Sequence, residues 1–179
     1  DLGCSVEEST MVLDSPFEAF WTVFSANAYA GYKYLLEEQA NQLTWYAREC
    51  IEYGSTVSGA DYAIAQGYIE GLKAKVADQF EECSLLLSPT MAVPAFPVGQ
   101  RPTNIGGKEV DPLWGFLPFT YPINMTGNPA ANVPCGFSSD HMPIGLHIVG
   151  RKGDEETVIA ASAAFEKAKP WTQHRPPVS

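Results

Sequence analysis

Apolar residues recur along this chain with two different periods, and the change from one to the other divides it. Phe17, Phe20, Trp21, Phe24 and Ala28 stand at the i, i+3, i+4, i+7 spacing that gathers one face of a helix. Ser15-Pro16-Phe17-Glu18 opens that stretch as a capping box, with proline at the first helical position, where its missing N–H costs nothing. A second, less regular helix is expected within residues 35–51, ending before Gly54. Tyr62, Ala65, Ile69, Leu72, Val76 and Phe80 then alternate steps of three and four. They predict a helix of about six turns, with Ser58 as N-cap and the Asp61 carboxylate in its first turn.

Beyond residue 82 the period shortens. Leu85-Leu86-Leu87, closed by Ser88-Pro89, reads as a strand covered on both faces. Residues 132–137 read as another strand and residues 138–141 as a turn. Ile144, Leu146 and Ile148 then alternate with Gly145, His147 and Val149, so the last two strands can form a hairpin. Asp154 caps a closing helix whose Val158, Ala161, Ser162 and Phe165 share one face, with Lys167 and Lys169 suited to its C-terminal end. At the margins, residues 4–13 read as a short strand with a polar stretch, and residues 170–179 as a tail along the surface. A helix leading into a buried strand predicts an α/β fold. No repeat or low-complexity linker interrupts the chain, so one domain is expected over residues 1–179: a helical part over about 15–82, then sheet, pocket loop and closing helix over about 83–171.

Between those parts, residues 89–122 have no sustained period and are rich in proline, glycine and aromatics. Loops that long are usually functional walls or lids, or else disordered, and Trp114, Phe116, Phe119 and Tyr121 argue against disorder. Trp114, Phe119 and Tyr121 are candidates to line an apolar pocket, with Asn124 and Thr126 as the polar contacts that orient a ligand. Core filling by the same rings is the competing reading. In TGNPAANVPCG (residues 126–136), Gly127 permits a backbone conformation closed to other residues, Pro129 stops a helix, and Ala130-Ala131 keep the volume low. Such a stretch suits a chain entering a sheet beside a crowded neighbour or beside a ligand.

Composition narrows the function. The 179 residues are 45% hydrophobic, enough for a real core that removes roughly 70% of the extended-chain surface from water. A balance of 21 acidic to 11 basic side chains, net charge −10, repels phosphate backbones and anionic head groups, which argues against nucleic-acid or membrane partners. No apolar run reaches membrane-span length, and DLGCSVEEST lacks the features of a signal peptide, so a soluble, cytoplasmic chain is expected. The absence of an initiating methionine before Asp1 fits a piece of something longer.

Chemistry-bearing residues are sparse. Cys4, Cys50, Cys83 and Cys135 form no CxxC pair, and His141, His147 and His174 lack metal-ligand spacing, so neither a metal nor a cofactor is expected. Cys135 and His147 lie on adjacent predicted strands, where a thiol–imidazole pair is conceivable. Yet Cys135 is followed by strand and turn rather than a helix start, and no third group orients the histidine, which favours a buried structural thiol. No phosphate-binding glycine loop, GxSxG elbow or HExxH occurs, and no residue is assigned a catalytic role.

Several blocks in order resemble the C-terminal part of the amidase signature family of serine hydrolases. LLLSPT (residues 85–90) resembles its "LLTPT" strand and loop, with PAFP (residues 94–97) following as its proline run does. FTYPINMTGNPAANVPCGF (residues 119–137) is similar to its "PFN.TG.PA.SVPCGF" block, and PIGLHIVGR (residues 143–151) to "P.GLQ.VG". The resemblance implies an α/β/α layered fold with a mixed sheet flanked by helices, and hydrolysis of carboxamides to acid and ammonia or amine. The chemistry it implies uses a lysine–serine–serine triad, with backbone amides holding the oxyanion. Neither the GGSSGG-like signature nor the triad lysine is found here, Lys33, Lys73 and Lys75 lying in predicted helices.

The chain is therefore expected to be the C-terminal portion of an amidase. It would complete the sheet and the substrate pocket, with Gly127 joining the binding candidates, and be inactive alone. Its expected partners are a small-molecule amide and the upstream half of the same polypeptide. An open sheet edge adds self-association, as a homodimer for instance. Two alternatives stay open: a non-catalytic scaffold or binding module of an amidotransferase-like assembly, and a thiol hydrolase using Cys135 and His147.

Overall fold

A computed structural model, describing residues 3–13 and 16–175, divides the chain into two compact units, Val12–Val76 and Asp1–Met11 with Ala77–Ser179.

The first unit is helical. Helix α1 is Phe17–Tyr32, α2 Tyr34–Glu38, α3 Trp45–Gly54, and α4, Gly59–Gln79, runs on into the second unit. Pro16 precedes α1 and its carbonyl accepts from Phe20 N at 2.9 Å, while Ser15 of the expected capping box lies outside the described residues. The helix expected within residues 35–51 is two helices, a correction with a local cause. Gln39 leaves the helical region at φ −139°, a polar turn follows, and Thr44 is extended before α3 restarts. Helices α1 and α3 approach closely because Gly54 has no side chain: a Cβ there would stand 2.0 Å from the Ser25 carbonyl oxygen. Beside that contact, Cys50 Sγ donates to Ser25 Oγ at 3.5 Å, and burial pushes the Cys50 thiol up. Helix α4 opens with a reciprocal box. Asp61 N donates to Ser58 Oγ at 3.1 Å and Ser58 N donates to Asp61 Oδ2 at 3.1 Å. Ala65, Ile69, Leu72 and Val76 form its buried stripe.

In the second unit, strand β1 is Leu85–Pro89, β2 Asn104–Ile105 and β3 Lys108–Glu109; helix α5 is Tyr121–Thr126, followed by β4, Ala130–Phe137, β5, Pro143–Gly150, and helix α6, Glu155–Ala168. The main sheet has the order β1-β5-β4 with both pairings antiparallel, so the expected hairpin is present. Asp154 accepts from Thr157 N at 3.2 Å to start α6, which lays Val158 against Val133 and Ile148, with Leu85, Leu146, Ala161 and Phe165 packed around them. Gly150 permits this approach, since a Cβ would lie 2.5 Å from Val158 Cγ2. At the far end, Lys169 Nζ donates to the Cys135 carbonyl at 2.6 Å. The class is α/β, as the change of period predicts.

Three expectations need correction. Residues 4–13 form no strand; this polar stretch gains a contact from Ser9 Oγ to Gln79 Oε1 at 3.2 Å but no ladder. Strand β1 is not covered on both faces. Leu85 packs on the core beneath α6, but Leu87, on the same face, lies outside that cluster and is 51% exposed; the strand is also at the sheet edge, with β5 as its partner. Residues 89–122 are not wholly irregular either. Gly106 and Gly107, both at left-handed φ of 58° and 81°, make the tight turn that joins β2 to β3. Among the described residues, no helix is long and apolar enough to cross a membrane.

Candidate functional site

Strand alternation and register bring polar side chains from three strands onto one face. Ser88 of β1 stands opposite His147 of β5, and His147 stands opposite Asn132 of β4. Ser88 Oγ lies 3.4 Å from His147 Nδ1. Just beyond β1, Thr90 N donates to the Gly145 carbonyl at 3.0 Å, and Thr90 Oγ1 donates to Asn132 Oδ1 at 2.7 Å, reaching across β5 to do so. That bridge exists because of Gly145, where a Cβ would meet Asn132 Oδ1 at 2.2 Å and Thr90 Oγ1 at 2.7 Å. His147 is 6% exposed, and desolvation holds its imidazole below the usual histidine value, so the ring is neutral at pH 7.

The polar row adjoins the aromatic loop. Two residues past Thr90, Ala92 N donates to the Phe116 carbonyl at 3.1 Å. Phe116 is buried and meets Phe96 edge-on at 5.1 Å. The guanidinium of Arg101 lies 5.7 Å over the same ring and donates to the carbonyls of Pro112 at 3.4 Å and Leu113 at 3.3 Å. Asp111 Oδ1 accepts from both Leu113 N and Trp114 N, at 2.8 and 2.9 Å. These ties make residues 92–116 a shaped segment with an apolar interior.

The candidates read from sequence fall in and after this segment. Trp114 and Phe119 are half-buried and Tyr121 is buried, while Asn124 is exposed on α5. Thr126, 1% exposed, donates its hydroxyl to Ile123 O at 2.9 Å, and Gly127 takes the left-handed conformation, φ 73°, that closes α5. Those two residues thus have local work in their own helix. Cys135 and His147 are not brought together. Cys135 is passed over in the register between Pro134 and Gly136, three positions along β4 from the partner of His147, about 10 Å at strand rise. The sequence reading did not single out Ser88, Thr90, Asn132 or Gly145 as a site. The signal available was two polar residues, Ser88 and Thr90, on alternate positions after three leucines.

Comparison with known proteins follows the same lines. The Amidase family profile matches residues 13–159. An acylamidase of Rhodococcus erythropolis is 31% identical over 98% of this chain and 38% of its own length. One subunit of the glutamyl-tRNA(Gln) amidotransferase of a Synechococcus strain is 33% identical over 95% of this chain and 35% of its own. Among solved structures, a bacterial aryl acylamidase of the amidase signature family superposes with a TM-score of 0.76 at 30% identity, covering 90% of this chain and 36% of that protein. The chain therefore spans well under half the length of the relatives it matches.

Proposed function

The chain belongs to the amidase family and shares its fold, and on that footing we propose that it is the C-terminal part of an enzyme hydrolysing linear carboxamides to acid plus ammonia or amine. Its share of the work is structural and selective: the β1-β5-β4 sheet extends a larger sheet, and residues 89–122 with the polar row form a wall of the substrate pocket. The continuous match to the acylamidase over nearly the whole chain carries this reading. Support from the geometry is of the kind a pocket wall needs, an apolar aromatic segment beside a few fixed polar groups.

The nucleophile, its base and the oxyanion donors are assigned to residues outside this chain. Cys135 lies about 10 Å along the strand from a position opposite His147, beyond hydrogen-bond reach of a base. His147 instead faces Ser88. The two serines and the lysine implied by the family therefore need a separate source, and this chain alone is inactive on amides. Trp114, Phe119, Tyr121 and Asn124 remain the proposed substrate contacts, with Thr126 and Gly127 holding the helix that presents Asn124.

The test is replacement: this chain substituted for the corresponding C-terminal part of the Rhodococcus acylamidase, followed by release of aniline from acetanilide and ammonia from aliphatic amides. Retained hydrolysis supports the reading, and a folded chimera without turnover on any amide overturns it. The match to an amidotransferase component favours one second reading, a scaffold within such an assembly. It predicts a chimera that binds amides without turning them over.

A further inference from the structure

On the reading of the chain as an amidase wall, we infer that Asn132, held by Thr90 across Gly145, is a specificity-determining residue. Its carboxamide NH2 receives a second, uncharged hydrogen-bond acceptor on the substrate, distinct from the amide that is cleaved.

An exposed asparagine on a strand ordinarily turns its amide freely. Here the Thr90 hydroxyl donates to Asn132 Oδ1 at 2.7 Å, which uses the acceptor end and leaves the Nδ2 hydrogens pointed away from the bridge. Thr90 is itself fixed, since its N–H donates to the Gly145 carbonyl at 3.0 Å. Gly145 supplies the space: the oxygen atoms of both side chains lie within 2.7 Å of where a Cβ would be, so any larger residue displaces the pair. Ordering costs for Asn132 are thus met by the fold before a ligand arrives, which is what converts a polar side chain into a selective contact.

The character of the acceptor follows from the neighbours. His147, in register between Ser88 and Asn132, is buried, and neither lysine nor arginine shares this row. A row of neutral donors without a cation favours a neutral oxygen over a carboxylate. Two residues past Thr90 the chain bonds to the aromatic segment through Ala92 N and the Phe116 carbonyl, which sets an apolar surface for an acyl chain beside the row, with Asn132 at its far end. The substrate class is a diamide, or an amide with a remote ester or hydroxyl group.

The experiment compares glutaramide with valeramide, matched in chain length, in the complete enzyme carrying these residues, for wild type, Asn132→Leu and Thr90→Val. Asn132→Leu should lower kcat/KM about tenfold more for glutaramide than for valeramide, the worth of one hydrogen bond, with the difference appearing in KM rather than kcat. Thr90→Val, close in shape, should produce a smaller change of the same sign in the glutaramide-to-valeramide ratio. An equal loss on both substrates in either variant, or no loss on glutaramide, would overturn the inference while leaving the amidase reading intact. A complete enzyme that cleaves neither amide, nor acetanilide, would overturn the amidase reading first and this inference with it.

Discussion

Thr90, just past the end of β1, and Asn132, on β4, share a 2.7 Å hydrogen bond that passes over Gly145 of the intervening strand β5. A methyl group at Gly145 would occupy the space this bond needs, at 2.2 Å from one oxygen and 2.7 Å from the other. Gly145→Ala should therefore break the bridge and cost about 1–3 kcal/mol. Gly136→Ala on the adjacent strand, with nothing within 4 Å of the new Cβ, should be neutral or slightly stabilising. Urea midpoints of the two variants check the contrast, and equal midpoints would remove the steric basis of the site.

Gly54 is the stricter case. The atoms its Cβ would strike are the Ser25 carbonyl oxygen at 2.0 Å and carbon at 2.6 Å, backbone that cannot swing aside as the tip of an asparagine can. Gly54→Ala should destabilise the helical unit by about 3 kcal/mol through forced separation of α1 and α3. Gly71→Ala in α4, facing open space, should stabilise by about 0.5–1 kcal/mol by helix propensity alone. Thermal denaturation followed by circular dichroism reads both signs.

Acid should weaken the fold through His147. Burial lowers the folded value of this ring below its ordinary 6.5, so the unfolded chain takes up a proton more readily than the folded one. The contribution of the neutral ring is complete above pH 6.5 and is lost as pH falls through the lower folded value. Urea midpoints for wild type and His147→Gln, measured from about pH 7 down to about pH 5, should show the wild-type advantage shrinking with acidity. A difference that stays constant over this range would contradict the buried neutral ring.

What could be read from the sequence was whatever one element declares by itself. Ile144, Leu146 and Ile148 announced β5 by alternation, Asp154 announced α6, and Ser58 with Asp61 announced α4, because each signal is local in chain and in physics. Strand β1 was legible as a strand but not as an edge, since three leucines look the same whether one neighbour or two will pair with them. The β2–β3 turn has a local signal in Gly106-Gly107, masked by the prolines that surround it. The polar row was beyond reach for a different reason. Ser88, Asn132 and His147 meet only through register, and register is fixed by long-range pairing that no window of sequence contains. Family resemblance brought the activity class within view, while the arrangement of Thr90, Gly145 and Asn132 had to come from the fold.

The most direct measurement is release of ammonia or amine from aliphatic and aryl amides by the purified 179-residue chain, before and after thiol alkylation. On the proposed function no turnover is expected in either condition, the reacting groups being assigned there to residues outside this chain. Turnover abolished by alkylation would contradict it, and would move the chemistry to Cys135 and His147.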